Sequence, residues 1–182
     1  KGRLDLAEMK AAMDNETLLV SCMLANNETG VIFPLEEICR IAKEHGVFVH
    51  TDAVQAVGKI PLDFSRLSVD LAAFSGHKFH APKGVGGLFV RRGLKIRPFL
   101  IGGHQERSRR GGTENMASIV GLGKAAELAA SRLGEEATRV RALRDRLERG
   151  ILEGIANTEV NGDPEHRVPN TTNIGIHFIE GE

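Results

Sequence analysis

The sequence has no tryptophan and no tyrosine, only two cysteines, and no surplus of either charge. Its 24 Lys and Arg residues match its 24 Asp and Glu residues, so nothing in the charge balance favours nucleic acid or an anionic membrane surface as a partner. The apolar runs are far too short to span a bilayer. Cys22 and Cys39 form neither a disulfide framework nor a metal-ligand spacing. Cys22 lies in a strand-like run and Cys39 in a helix-like one, which predicts buried, inert thiols and a reducing, cytoplasmic setting.

Apolar runs of strand length dominate the first half of the chain. Residues 17–23 and 47–50 are such runs, and an amphipathic helix between them should begin at Pro34 and end at Gly46. This βαβ pattern is typical of a parallel sheet that is covered on both faces. The sequence therefore predicts an α/β fold with a mostly parallel sheet flanked by helices.

Two further strands are predicted at residues 70–74 and 85–90. The loop that joins them has about ten residues, whereas a parallel connection generally needs a crossover of a dozen or more. We therefore expect the last strand to run antiparallel to the one before it.

The pattern changes after residue 113. A largely apolar helix is expected from about residue 114 to 133, with Thr113 as its N-cap and Gly134 as its interruption. A second helix at 135–156 and a strand at 172–178 follow. We interpret residues 1–133 as part of a large domain and 134–182 as the start of a smaller α+β domain.

The second of these helices has a basic face. It carries five arginines: Arg139, Arg141, Arg144, Arg146 and Arg149. Glu135 and Asp145 stand four residues before Arg139 and Arg149, so a solvated, ion-paired face is a better interpretation than a nucleic-acid stripe.

One lysine stands out by its surroundings. Lys78 lies in the segment SGHK (75–78), between the strand at 70–74 and a loop rich in glycine and proline. Partial desolvation there would favour the free amine, the form that attacks a carbonyl. An ordinary exposed loop lysine is the alternative from this segment alone.

A carboxylate upstream favours a functional Lys78 over an ordinary loop lysine. Asp52 follows the predicted strand at 47–50, at the strand end where α/β sheets bind ligands. A lysine able to form a Schiff base and an aspartate able to pair with a pyridinium nitrogen are two parts of a pyridoxal-phosphate site. The glycine-rich residues 81–87 match neither nucleotide-binding pattern, and we interpret them as a tight bend.

Four segments together resemble a known family: NNETG (26–30), HTDAVQ (50–55), SGHK (75–78) and RGGTEN (110–115). They are similar to the class V aminotransferase-like group of fold-type I pyridoxal-phosphate enzymes, and more narrowly to the cysteine desulfurases of the NifS/IscS type. The resemblance covers nearly the whole chain. It implies conversion of L-cysteine to L-alanine, with the sulfur carried as an enzyme persulfide to iron–sulfur cluster assembly. It also implies a homodimer and a sulfur-acceptor scaffold protein as partner.

The resemblance assigns seven positions to the pyridoxal 5'-phosphate site: Asn27, Asp52, Gln55, Ser75, His77, Lys78 and Thr113. Lys78 would hold the cofactor as a Schiff base and then move a proton between the substrate and the cofactor. Asp52 would keep the pyridine nitrogen protonated, and Gln55 would bond the phenolic oxygen. Asn27 would reach the same oxygen or the substrate carboxylate.

The remaining three positions are implied phosphate ligands. Ser75 and His77 would bind the phosphate of the same subunit's cofactor, and Thr113 that of the neighbouring subunit. Taken without the resemblance, His77 could be a structural histidine and Thr113 an ordinary N-cap. His104 and the arginines at 107–110 fit loop and interface roles better than catalysis.

Parts of the family's machinery have no match here. In the family, a cysteine on a mobile loop attacks the substrate sulfur, and neither Cys22 nor Cys39 matches it. The family's ring-stacking histidine and substrate-binding arginine also have no match. These groups would lie before Lys1 or beyond Glu182, so we expect an internal segment that is inactive by itself. Another enzyme of the group, such as a selenocysteine lyase, and a non-catalytic scaffold of the same fold stay open as alternatives.

Overall fold

A four-stranded sheet forms the centre of the computed structural model, which describes residues 2–179. Its strands lie in chain order: β1 (Leu19–Met23), β2 (Phe48–Asp52), β3 (Leu71–Ser75) and β4 (Gly86–Val90). The first three run parallel, and β4 pairs antiparallel with β3. The predicted parallel sheet and its antiparallel last strand are both confirmed.

Two short helices cover one face of this sheet. Helix α1 (Leu6–Ala11) is capped by Asp5, whose carboxylate accepts hydrogen bonds from the N–H groups of Ala7 and Glu8 at 2.8 and 3.0 Å. Helix α2 (Leu35–Glu44) follows Pro34 and buries an apolar stripe that includes Ile38 and Cys39. Together with buried strand residues, α2 makes the main hydrophobic core.

The strands alternate between a covered and an open face. On β2, Val49 and Thr51 are buried against the core, whereas Phe48 and Asp52 are exposed. Leu19 and Met23 of β1 are exposed as well, in register with Phe48 and Asp52. The carboxylate of Asp52 therefore belongs to the open face.

A single long helix follows the sheet. Helix α4 (Met116–Gly154) has 39 residues and continues through Gly134, so the predicted interruption is wrong. Glycine in a helix interior costs only about 1 kcal/mol relative to alanine, which flanking turns of good helix formers can absorb. Its N-cap is Asn115, whose carboxamide oxygen accepts from the N–H of Ser118 at 3.2 Å, and not Thr113. The domain boundary at residue 134 stays a prediction.

The remaining elements are short. Helix α3 (Gln105–Ser108) is a single turn in which Glu106, Arg107 and Ser108 have positive φ. Strands β5 (Thr158–Val160) and β6 (Ile174–Ile176) form an antiparallel pair, the second within the predicted 172–178 strand. Although α4 is long, no helix within residues 2–179 is apolar enough over a sufficient length to cross a membrane.

The arginine face of α4 is only partly solvated. Arg139 pairs with Glu136 at 2.7 Å on the surface. Arg144, in contrast, is buried and donates to the backbone oxygens of Val168 and Thr171, at 3.3 and 3.0 Å. The predicted solvated role is therefore wrong for Arg144, because this side chain ties α4 to the segment before β6.

Candidate functional site

The site begins with the register of β2 and β3. Asp52, the last residue of β2, pairs with Ala73, and β3 ends two residues later at Ser75. Because the two strands are parallel, their carboxyl ends meet at the same edge of the sheet. One carboxylate oxygen of Asp52 accepts from the N–H of Val54 at 2.8 Å, and the side chain stays exposed.

Lys78 follows immediately, in a 3-10 turn (Gly76–Phe79). The turn closes through left-handed His80, and the N–H of Ala81 donates to the oxygen of Gly76 at 3.0 Å. Phe79 is buried against Ala125 of α4 and anchors the turn. The predicted position of Lys78 at a strand end beside a tight loop is confirmed.

The expected desolvation of Lys78 is not present. In the described part of the chain, the Lys78 side chain is exposed to solvent, whereas that of its neighbour Phe79 is buried. A short 3-10 turn places successive side chains on different sides, so anchoring Phe79 turns Lys78 outward. The amine is therefore accessible, in the turn that directly follows β3.

Ser75 and His77 both precede the lysine and contact each other. The Ser75 hydroxyl oxygen lies 2.8 Å from Nδ1 of His77. If Nδ1 accepts this bond, the Nε2–H of His77 is free to donate to an anion; if Nδ1 donates, the Ser75 hydroxyl is free instead. Ser75 ends β3, and His77 lies in the turn that follows; their role as phosphate ligands stays a prediction.

The two asparagines after β1 differ in their contacts. The carboxamide oxygen of Asn26 accepts from the N–H groups of Glu28 and Thr29, both at 2.9 Å, so Asn26 shapes its own turn. Asn27 is exposed. Since Met23 at the end of β1 pairs with Asp52, Asn27 follows a strand that ends at the same edge.

Gln55 has a partner, Lys59, that was not among the predicted site residues. Its Oε1 accepts from Nζ of Lys59 at 2.7 Å, within a turn of the chain at 53–60. Lys59 is half-buried, and burial, followed by the positive charge of Lys78, lowers the pKa of Lys59. The four-residue spacing from Gln55 was the one available sequence signal for Lys59.

A cavity of about 810 Å³ opens beside these lysines. Lys59, Lys78 and Phe79 line one side, and residues of α4 such as Ala125 and Leu128 line the other. Neither Asp52 nor Thr113 is among its lining residues in the described part of the chain. Thr113 is exposed in the segment just before α4.

The glycine-rich loop packs closely on β3, as the bend interpretation predicts. A Cβ on Gly86 would lie 2.5 Å from the backbone oxygen of Phe74, and one on Gly76 would lie 2.8 Å from Cδ1 of Leu122. Neither position has room for a side chain. Glycine here allows β4 to return directly beside the lysine turn.

Both cysteines are poor nucleophiles. Burial raises the pKa of the Cys22 thiol, and burial together with the charge of Asp70 raises that of Cys39 to about 11. Because the thiolate is the reactive form, neither residue is prepared to accept sulfur. The prediction of a buried thiol is confirmed for Cys39, whereas Cys22 is only half-buried.

The donor set fits an aromatic aldehyde phosphate. An accessible amine suits the aldehyde, a carboxylate suits a protonated ring nitrogen, amides suit a phenolic oxygen, and the hydroxyl–imidazole pair suits a phosphate. These groups come from the ends of β1, β2 and β3. The arrangement is the one expected at the carboxyl edge of a parallel sheet.

Comparison with known proteins gives an independent result. Residues 1–182 match the family Aminotransferase class-V. The whole chain is 58% identical to Cysteine desulfurase 2 of Trichormus variabilis, and it covers 46% of that protein. It is 55% identical to Cysteine desulfurase NifS of Azotobacter vinelandii, covering 45% of that protein.

A solved structure supports the fold. The protein described as "NIFS-LIKE PROTEIN" superposes with a TM-score of 0.91 at 44% identity, over 95% of this chain and 47% of that one. The chain thus spans about half the length of the curated relatives it matches.

Proposed function

Because this chain belongs to the class V aminotransferase family, we propose that it carries the cofactor-binding part of a pyridoxal-phosphate-dependent cysteine desulfurase. The overall reaction takes L-cysteine and an enzyme thiol to L-alanine and an enzyme persulfide. The identity of 55–58% to cysteine desulfurases supports this activity over another enzyme of the group. Iron–sulfur cluster assembly would use the sulfur, through an acceptor scaffold protein.

When bound, pyridoxal 5'-phosphate supplies an electron sink for the charge that develops at the substrate Cα. Lys78 would hold its aldehyde carbon and then move the proton at the substrate Cα, as a positioned amine can. Asp52 would keep the ring nitrogen protonated. A charge-assisted hydrogen bond of this kind is worth about 1.5–3 kcal/mol in ordinary settings.

The other residues would orient the group. Gln55 and Asn27 would donate to the phenolic oxygen, and Ser75 and His77 to the phosphate. Thr113 would bind the phosphate of the neighbouring subunit's cofactor in a homodimer, which agrees with its exposure here. Cys22 and Cys39 are buried or half-buried with raised pKa values, so neither is assigned as the thiol that accepts the sulfur.

The observation that carries the proposal is that Asp52 and Lys78 follow neighbouring parallel strands to one edge of the sheet. Borohydride reduction of the full-length, cofactor-loaded protein and peptide mapping test it. A pyridoxyl group on Lys78 is expected, and Lys78→Ala should abolish it. Lys83→Ala, an exposed lysine of the next loop, is the matched control and should keep the adduct. No adduct on Lys78 in the wild type would favour the non-catalytic scaffold.

A further inference from the structure

Lys59 makes a polar contact whose direction is fixed by chemistry. Its ammonium lies 2.7 Å from Oε1 of Gln55. An ammonium group has hydrogens to donate and no acceptor, so it can bond only the oxygen end of the amide. The contact therefore sets which end of Gln55 faces Lys59 and turns the NH2 end away from it.

The placement of Lys59 is electrostatically unfavourable. The side chain is half-buried and lines the same cavity as Lys78. Burial and the charge of Lys78 both lower its pKa. Within residues 2–179, the ion pairs do not include Lys59, so Gln55 is its polar contact rather than a carboxylate. Burial of an ammonium group without a carboxylate partner costs free energy, so the position of Lys59 is not explained by stability alone.

The backbone of Lys59 is also tied to the lysine turn. Gly58, immediately before it, has φ of +76°, and a Cβ there would lie 2.9 Å from Cβ of Phe79. The residue next to Lys59 thus packs directly on the residue next to Lys78. Movement of Lys59 relative to the 3-10 turn is limited by this contact.

We propose that Lys59 is a positioning residue of the cofactor site, which holds the Gln55 carbonyl so that the Gln55 NH2 group is presented to the phenolic oxygen of the bound cofactor. This rests on the proposed function and names a residue through which that site is assembled. Lys59 acts through Gln55 and does not need to touch the cofactor itself.

A double-mutant cycle on cofactor affinity tests the coupling. The full-length apo protein is titrated with pyridoxal 5'-phosphate, and Kd is measured for wild type, Lys59→Met, Gln55→Ala and the double variant. Lys59→Met should weaken binding about 2- to 10-fold, the range for one neutral hydrogen bond. In the Gln55→Ala background, the same substitution should have no further effect. Lys59→Arg, which can still donate, should restore most of the affinity.

Lys124→Met is the matched control. Lys124 lines the same cavity but is exposed and paired with Glu127 at 2.9 Å, so its loss should change Kd less than twofold. Gln55→Glu provides a second route if Lys59→Met folds poorly. It keeps a partner for Lys59 and removes the NH2 donor, so the apo melting temperature should hold while affinity falls.

Three results would overturn the inference: additive effects of Lys59→Met and Gln55→Ala, no rescue by Lys59→Arg, or wild-type affinity in Gln55→Glu. Absence of an adduct on Lys78 in the wild type would instead remove the proposed function. If the wild type binds pyridoxal 5'-phosphate tightly and Lys59→Met has the same Kd, only the role of Lys59 is rejected. The two failures are therefore distinguishable.

Discussion

Asp52 pairs in register with Ala73 on the neighbouring parallel strand. Two residues after Ala73, Ser75 caps the turn that carries Lys78. The backbone of Ala53 continues this pairing, since its N–H donates to the Ala73 oxygen at 2.8 Å. The strand register thus places Asp52 and the start of the Lys78 turn at one edge of the sheet, and the 3-10 turn sets the direction of the Lys78 side chain. Rigid strands hold a site more accurately than loops do.

Replacing the carboxylate should affect function but not folding. Asp52→Asn keeps an oxygen for the Val54 N–H and lies at an exposed position, so the free energy of unfolding should change by less than about 0.5 kcal/mol. Cofactor affinity or turnover should fall roughly 10- to 150-fold, the equivalent of one charge-assisted hydrogen bond. Asp63→Asn, in a similar turn with Ser65, is the control and should change neither. Equal losses in both variants would contradict the role of Asp52.

Gly58 should tolerate no side chain. It combines a positive φ with close packing on Phe79, so Gly58→Ala should destabilise the protein by roughly 1–3 kcal/mol. Gly46→Ala isolates the backbone contribution, because Gly46 has a similar φ of +69° with nothing within 4 Å of its Cβ position. Urea unfolding should show the larger loss in Gly58→Ala. Equal losses would mean that contact with Phe79 contributes nothing.

Gly134→Ala distinguishes a continuous helix from a break. Gly134 lies inside α4 with open space around its Cβ position, so alanine should stabilise the protein by about 0.5–1 kcal/mol. Gly123→Ala, at a comparable open position in the same helix, should behave alike. Thermal melts of both variants give the comparison. A destabilised Gly134→Ala would indicate that the helix is interrupted there.

Acid stability should depend on Glu148. Hydrogen bonds from Arg167 lower the pKa of Glu148 below its usual 4.5, with Thr172 as a second donor. A carboxyl whose folded pKa is lowered contributes stability above its unfolded pKa and loses it as the pH falls through the folded value. Glu148→Gln should therefore be less stable at neutral pH, by roughly 1–3 kcal/mol, with the difference shrinking below pH about 4.

The control for this prediction is Glu127→Gln, which removes a carboxylate of an exposed pair. Exposed pairs contribute about 0–1 kcal/mol, so its stability should follow that of the wild type over the same pH range. Urea unfolding at several pH values measures both variants. A difference between Glu148→Gln and wild type that is independent of pH would contradict the assignment.

The sequence was sufficient for the parallel strands and for the reversed β4, because apolar run length and loop length determine those features directly. It also located the turn of Lys78. It was insufficient for the bounds of α4: the helix continues through Gly134, since one glycine costs only about 1 kcal/mol, and Asn115 caps it although Thr113 is also a residue type that caps helices. The partners of Arg144 lie on a segment that meets α4 only in the folded chain, whereas Lys59 bonds Gln55 locally, through a four-residue spacing that does not by itself indicate a role.

The most direct measurement is a crystal structure of the full-length protein loaded with pyridoxal 5'-phosphate. The account predicts continuous density from Nζ of Lys78 to the aldehyde carbon, with an Asp52 oxygen at about 2.7–2.9 Å from the ring nitrogen, the usual charge-assisted distance. A cofactor attached to a different lysine, or a ring nitrogen directed away from Asp52, would contradict it.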